Sequence, residues 1–359
     1  MESLVMRRLS FYKNKKVFIT GHTGFKGSWL CHTLLFAGAN ITGYALEPPT
    51  SPSLFKQTNL NNKMHSIIGD VRDREQLIHS VQEAQPDIVF HLAAQPLVRY
   101  SYREPAKTYE INVMGTVNIL DAVRLSNTVR SFINITTDKV YENREWNWGY
   151  RENENLCGFD PYSNSKSCSE LVTMSYRNAF FQNNNIAIST ARSGNVIGGG
   201  DYAEDRIIPD CIRFVKAGKQ IVLRNPHSIR PYQHVLECLS GYLLLAEKQY
   251  NDKSLEGAYN FGPNEDSCVT TEELTKIFCG IWGMDATYIV QNDSGPHEAH
   301  FLKLDCSKSK ALLGWKSRWD IATAINKTIE CAKAKTDIQM TEYINQQVEE
   351  YFSNQKVSC

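Results

Sequence analysis

From Lys16 to Arg192 short apolar runs alternate with longer amphipathic stretches, and this alternation restricts the fold more than any other feature of the chain. The run KVFIT ends in a glycine-rich turn and a helix pattern, GSWLCHTLLFAGA. NITGYAL follows, then a loop rich in Pro, Thr and Ser, then MHSIIGD and the helix pattern REQLIHSVQEA. DIVFHLAA precedes a long helix predicted from about Pro105 to Ser126; SFINIT precedes one from about Tyr162 to Phe181, and IAISTAR closes the series. Apolar runs without clean polar alternation are strands buried on both faces, and strands separated by helices pair in parallel. The expected fold class is α/β, a doubly wound parallel sheet, which takes ligands beyond the carboxyl ends of its strands.

The texture changes after Asn195. VIGGGDYAEDR and RNPHSIRPYQ are loop-like, and helical patterns return near Val235 to Tyr250, Thr270 to Trp282 and from Trp319 onward. The 359 residues suit one large α/β unit or two closely packed domains. Positive and negative charges cancel, which argues against nucleic acid or an anionic membrane as the main partner. The ten cysteines form no C-x-x-C pair and have no metal-ligand spacing, so free thiols are expected and no metal. The first residues contain no apolar signal core, and no apolar run reaches membrane-spanning length; a cytoplasmic protein is expected.

In TGHTGFKG the glycines Gly21, Gly24 and Gly27 stand at G-x-x-G-x-x-G spacing in the first strand-to-helix turn. Glycines there let the chain turn tightly and approach a pyrophosphate, while the helix N-terminus offers N–H groups to the phosphates. Thr23, Phe25 and Lys26 belong to the same loop, with Lys26 either on the pyrophosphate or facing solvent. Asp70 and Val71 end the third strand, where a carboxylate can accept from the adenine amino group or cap the next helix. Ala93 and Ala94 end the fourth, where small side chains let a cofactor pass or simply pack. The acid expected to hold the adenosine ribose is missing: Ala45 occupies its place, Glu47 is the substitute, and no arginine is present for a 2′-phosphate. NAD is therefore expected rather than NADP. These features divide the chain into a Rossmann domain over 11–195, with a returning segment about 231–255, and an interleaved, smaller C-terminal substrate-binding domain over 196–350.

Two further motifs bear on chemistry. YSNSK places Tyr162 and Lys166 four apart, on one face of a helix. Phenol needs about three units of pKa lowering to act as a base at neutral pH, and a nearby ammonium favours phenolate. The strand SFINI runs into Thr136-Thr137-Asp138-Lys139, a cluster too polar for a buried strand end unless it is solvated or chemically used.

Taken together, the glycine turn, HLAA, ITTDK and YSNSK resemble the extended short-chain dehydrogenase/reductase family. GHTGFKGSWL, AAQPLVRYSY, EWNWGYRENE, FDPYSNSK, GNVIGGGD, VLRNPHSIRPYQHV and PHEAHFLKLDCSK narrow the resemblance to its nucleotide-sugar 4,6-dehydratases, over about Lys15 to Trp319. The likeness is greatest to the branch acting on CDP-glucose. The resemblance implies three strokes: hydride leaves C4 of the hexose for NAD, water is eliminated across C5 and C6, and hydride returns at C6. It implies Tyr162 as base at the C4 hydroxyl, Lys166 as its modulator and NAD-ribose ligand, and Thr137 as hydrogen-bond partner of the same oxygen. Asp138 becomes the acid for O6. Lys139 stands where the dTDP-glucose enzymes have a glutamate, and acts at C5 as base or as counter-charge to the enolate. Asn195 and Arg230 become diphosphate contacts; His297 and Glu298 line the pocket or a surface loop. Trp146 and Trp148 are assigned to core or interface. A homodimer or homotetramer, packed through the Pro105–Ser126 and Tyr162–Phe181 helices, and a role in cell-surface deoxysugar synthesis also follow from the resemblance. A nucleotide-sugar C4-epimerase of the same fold is the competing enzyme, and Asp138-Lys139 argues against it.

Overall fold

The computed structural model describes residues 8–283, 286–291 and 301–353. Six strands follow the sequence pattern: β1 (Lys16–Thr20), β2 (Asn40–Ala45), β3 (His65–Ile68), β4 (Ile88–His91), β5 (Ser131–Ile135) and β6 (Ala187–Ser193). They lie in the order β3-β2-β1-β4-β5-β6, all parallel, and a seventh strand, Ala258–Phe261, adds to the β6 edge.

Alternate residues of each central strand enter opposite cores. Val17, Ile19, Phe90 and Ile133 point into one, with Trp29, Leu30 and Leu34 of the Phe25–Phe36 helix and Leu239 and Leu243 of the Val235–Asn251 helix. Phe18, Val89 and Phe132 point into the other, with Leu77, Val81, Ile119 and Val123. Both faces are apolar because both are covered, which is why the strands read as continuous hydrophobic runs. Each fully buried side chain of this size contributes about 1.5–3 kcal/mol by leaving water.

The Val235–Asn251 helix packs on the sheet, and the edge strand Ala258–Phe261 follows it. A smaller core outside the sheet gathers Ile208, Leu223, Leu274, Phe278 and Ile325. A π-turn at Glu110–Met114 interrupts the first long predicted helix, and a π-turn at Arg177–Phe181 ends the second. A short helix at Leu54–Gln57 occupies a stretch expected to be loop, and another at Val98–Arg103 precedes the predicted Pro105 helix. Among the described residues all the cysteines are free thiols, and no His/Cys/Asp/Glu group could hold a metal. No described helix is long and apolar enough to cross a membrane.

Candidate active site

The carboxyl ends of β1, β4, β5 and β6 lie side by side along one edge of the sheet. At the end of β1, Gly21 has φ +79°, and a Cβ there would lie 2.7 Å from Ala93 N at the end of β4. A Cβ on Gly27 would lie 2.1 Å from Gly21 O. Both positions exclude any side chain, so turn and helix lie as close as backbone permits. Gly24 precedes the Phe25–Phe36 helix with no side-chain cap, leaving its first-turn N–H groups to an anion. These features fit a dinucleotide pyrophosphate. Thr23 Oγ1 ties the turn to Leu46 O at 2.8 Å, just beyond β2. Glu47, the substitute ribose ligand, is exposed and lies 3.7 Å from Lys56 Nζ.

Asp70 is already engaged. Arg72 Nη2 approaches its Oδ2 at 2.6 Å, and the Arg72 backbone N–H donates to Oδ1 at 2.9 Å. The Arg72 side chain holds the Asp70 carboxyl below its usual range. Val71 is buried in the second core beneath Asn118, whose Nδ2 donates to Val71 O at 2.9 Å. Ala93 and Ala94 are half-buried.

The helix that presents Tyr162 and Lys166 starts at Pro161, with Asp160 as N-cap accepting from Ser163 N at 2.9 Å. The Tyr162 phenol faces Thr137, and Thr137 Oγ1 donates to Asp138 Oδ1 at 3.0 Å. Lys139 N donates to Thr137 Oγ1 at 3.4 Å, closing a one-turn 3-10 helix over Asp138–Val140. Phenol, hydroxyl and carboxyl groups thus meet at the end of β5, beside the cofactor turn. Asp138 is buried and its Oδ2 has no hydrogen-bond partner. Burial pushes its carboxyl up, against Lys139, Thr137, Arg230 and Lys26.

Burial pushes the Tyr162 phenol up to about 12, against lowering by Thr137 and by the Arg206 charge. Lys166 Nζ donates to Ile135 O at 3.1 Å, and burial followed by repulsion from Lys26 lowers it to about 8.

Arg206 had no signal in the sequence beyond a loop-like DYAEDR. It is half-buried, and its Nη1 holds the buried Asp201 carboxylate at 2.8 Å. Lys26 does not simply face solvent: its Nζ donates to Ser193 Oγ at 3.1 Å, at the end of β6. Arg230 is buried in the Ile229–Pro231 strand, with its charge felt by Asp138, and Asn195 accepts from Gln233 N at 3.0 Å beside it. His297 and Glu298 lie outside the described residues. Trp146 and Trp148 stack at 5.1 Å, with Trp146 against Tyr150 and Trp148 61% exposed, so only the first belongs to a core.

Below the site, Glu170 and Arg192 form a buried pair at 2.9 Å. Glu170 also accepts from Thr136 Oγ1 and Thr190 Oγ1 at 2.5 and 2.6 Å, and Arg192 Nη1 donates to Tyr141 OH at 2.8 Å. The network fixes Thr136, the neighbour of Thr137. Neither residue drew attention in the sequence, because an acid on a helix and an arginine in a strand acquire meaning only when they face each other.

Sheet, glycine turn and Tyr–Lys helix define a dinucleotide-dependent enzyme of the short-chain type. The chain belongs to the GDP-mannose 4,6 dehydratase family, whose model matches residues 18–328. It is 50% identical, over 90% of its length and 92% of the relative's, to a CDP-glucose 4,6-dehydratase of Salmonella typhimurium. It is 29% identical, over 88% of its length and 91% of the relative's, to a dTDP-glucose 4,6-dehydratase of Streptomyces antibioticus. Among solved structures, UDP-glucose 4-epimerase of Thermus thermophilus with NAD superposes with TM-score 0.78 at 24% identity, covering 89% of this chain and 99% of that one. UDP-glucuronic acid 4-epimerase of Bacillus cereus, with UDP-glucuronic acid and NAD, gives 0.77 at 23% identity, covering 88% and 98%. The structural likenesses bear on the fold.

Proposed function

We propose that the chain is an NAD-dependent CDP-glucose 4,6-dehydratase, converting CDP-glucose to CDP-4-keto-6-deoxyglucose. The observation that supports it most is the convergence of Tyr162, Thr137 and Asp138 beside the glycine turn, joined to half identity with a relative of that activity. NAD, when bound, supplies acceptance of the C4 hydride and its return to C6. Gly21, Gly24, Gly27 and the helix start after them would hold its pyrophosphate, and Lys166 its nicotinamide ribose. Tyr162 takes the proton of the C4 hydroxyl, with Thr137 hydrogen-bonded to the reacting oxygen. The ketone at C4 acidifies the C5 proton, and Asp138 gives its proton to O6 as water departs. Burial favours the protonated carboxyl that this step requires. Lys139 serves C5, neutral if it takes the proton and charged if it steadies the enolate. Arg230 and Asn195 face the diphosphate, where a guanidinium fork suits anionic oxygens.

Incubation with NAD and CDP-, dTDP-, UDP- or GDP-glucose, followed by mass, tests the reading. Loss of water from CDP-glucose alone is expected. Unchanged mass with inverted C4 would make the enzyme an epimerase instead. Asp138→Asn is expected to keep C4 oxidation and slow elimination about a hundredfold. Reduced nicotinamide then accumulates without dehydrated product, and normal product formation would remove Asp138 from the mechanism.

Exposed apolar side chains on the two long predicted helices and their π-turns, Met114, Leu171, Met174 and Phe180, support a homodimer packed through them. A cytoplasmic role in making deoxysugars for the cell surface fits this reaction.

A further inference from the structure

Lys26 is the second residue of the Phe25–Phe36 helix, and its ammonium turns inward. Its Nζ donates to Ser193 Oγ at 3.1 Å, and Ser193 Oγ in turn lies 2.6 Å from Tyr242 OH. The residue after Ser193 is Gly194, where a Cβ would lie 2.9 Å from Asp138 Oδ2. Ammonium and carboxyl therefore rest on consecutive residues at the end of β6. The Asp138 oxygen on that side is buried and has no hydrogen-bond partner.

We propose that Lys26 is a positioning residue for the elimination step, its ammonium anchored on Ser193 so as to stabilise the Asp138 carboxylate left when O6 departs. This rests on the dehydratase reading. In that step C5 loses its proton to a base and the C6–O6 bond breaks. O6 takes the Asp138 proton and leaves as water, and a charge appears on a carboxyl group that burial disfavours. Its opposing groups are Lys139 on its own turn, Thr137, Arg230 from the Ile229–Pro231 strand, and Lys26 from the cofactor helix. The Tyr162 phenol also faces it. Lys26 itself faces Lys166, Arg206, Asp201 and Cys238. A cation held by a neutral hydroxyl keeps its charge free to act on its neighbours, which a salt-bridged one does not.

Lys26→Met tests this. Removing the positive charge raises the pKa of Asp138 and of Lys166 alike, so the alkaline limb of the kcat profile moves up, by about half a unit. Elimination is expected to slow about tenfold at saturating NAD, with C4 oxidation changed less than about twofold. Lys26→Arg is expected to restore both limb and rate. Ser193→Ala, which keeps the charge and removes its anchor, is expected to slow elimination about threefold with the same selectivity, and decides the matter if Lys26→Met does not fold. An unmoved limb in Lys26→Met, or an unchanged balance of oxidation and elimination in Ser193→Ala, overturns the role. Wild type is assayed alongside: if it removes no water from CDP-glucose, the dehydratase reading fails and takes this role with it. Water loss by wild type with an unmoved limb removes the role alone.

Discussion

Replacing Tyr162 by Phe is expected to lower the rate of C4 oxidation about a thousandfold, near 4 kcal/mol on the barrier, with NAD affinity changed less than about twofold. The variant removes one oxygen and keeps the ring, so the helix that starts at Pro161 and the packing around it remain. What goes is the hydroxyl that faces Thr137. Stopped-flow absorbance of reduced nicotinamide after mixing with CDP-glucose reads the first hydride transfer, and fluorescence titration reads NAD binding. Oxidation at the wild-type rate would mean that another group takes the C4 hydroxyl proton. Burial pushes the phenol up to about 12, and the positive nicotinamide of bound NAD would favour the phenolate that the step requires.

Arg192→Met is expected to destabilise the folded chain by about 3–5 kcal/mol, since it leaves the Glu170 charge buried and unpaired. Both side chains are 3% exposed, so water cannot take over the role of the guanidinium. The double variant Arg192→Met, Glu170→Leu should recover much of the loss, because no buried charge remains. Urea unfolding followed by circular dichroism compares the three proteins; equal midpoints for wild type and Arg192→Met would show that the pair contributes nothing. The pH dependence has a definite sign. Burial alone would raise Glu170, but Arg192 and the hydroxyls of Thr136 and Thr190 hold it below its ordinary value. The stability from this pair is therefore complete above the ordinary glutamate range and is lost as pH falls through the depressed value.

The sheet was legible because its strands bury both faces. Val17 and Ile19 enter one core and Phe18 the other, so the run between them had to be apolar throughout. Helices were legible in place but not in detail: a π-turn inserts a residue into an otherwise helical pattern, and apolar periodicity does not register it. The strand Ala258–Phe261 was missed because an edge strand this short, AYNF, carries little pattern of its own. At the site, Thr137 and Asp138 were recoverable because they interrupt a buried strand end, and Tyr162 because four residues separate it from Lys166. Asp70 is harder: its strand-end position was readable, but its capture by Arg72 two residues on depends on a local turn.

By itself the sequence determined the sheet, the glycine turn and the identity of the groups that meet at the end of β5, because these follow from local periodicity and from residues close in the chain. Only the tertiary structure decided how those groups are charged. Arg206 acts on Tyr162 from 44 residues away in the chain, Lys26 crosses from the first turn to β6, and burial sets the largest shift on the Tyr162 phenol. Electrostatic interaction depends on distance and solvent exposure in space, and neither is encoded by spacing along the chain.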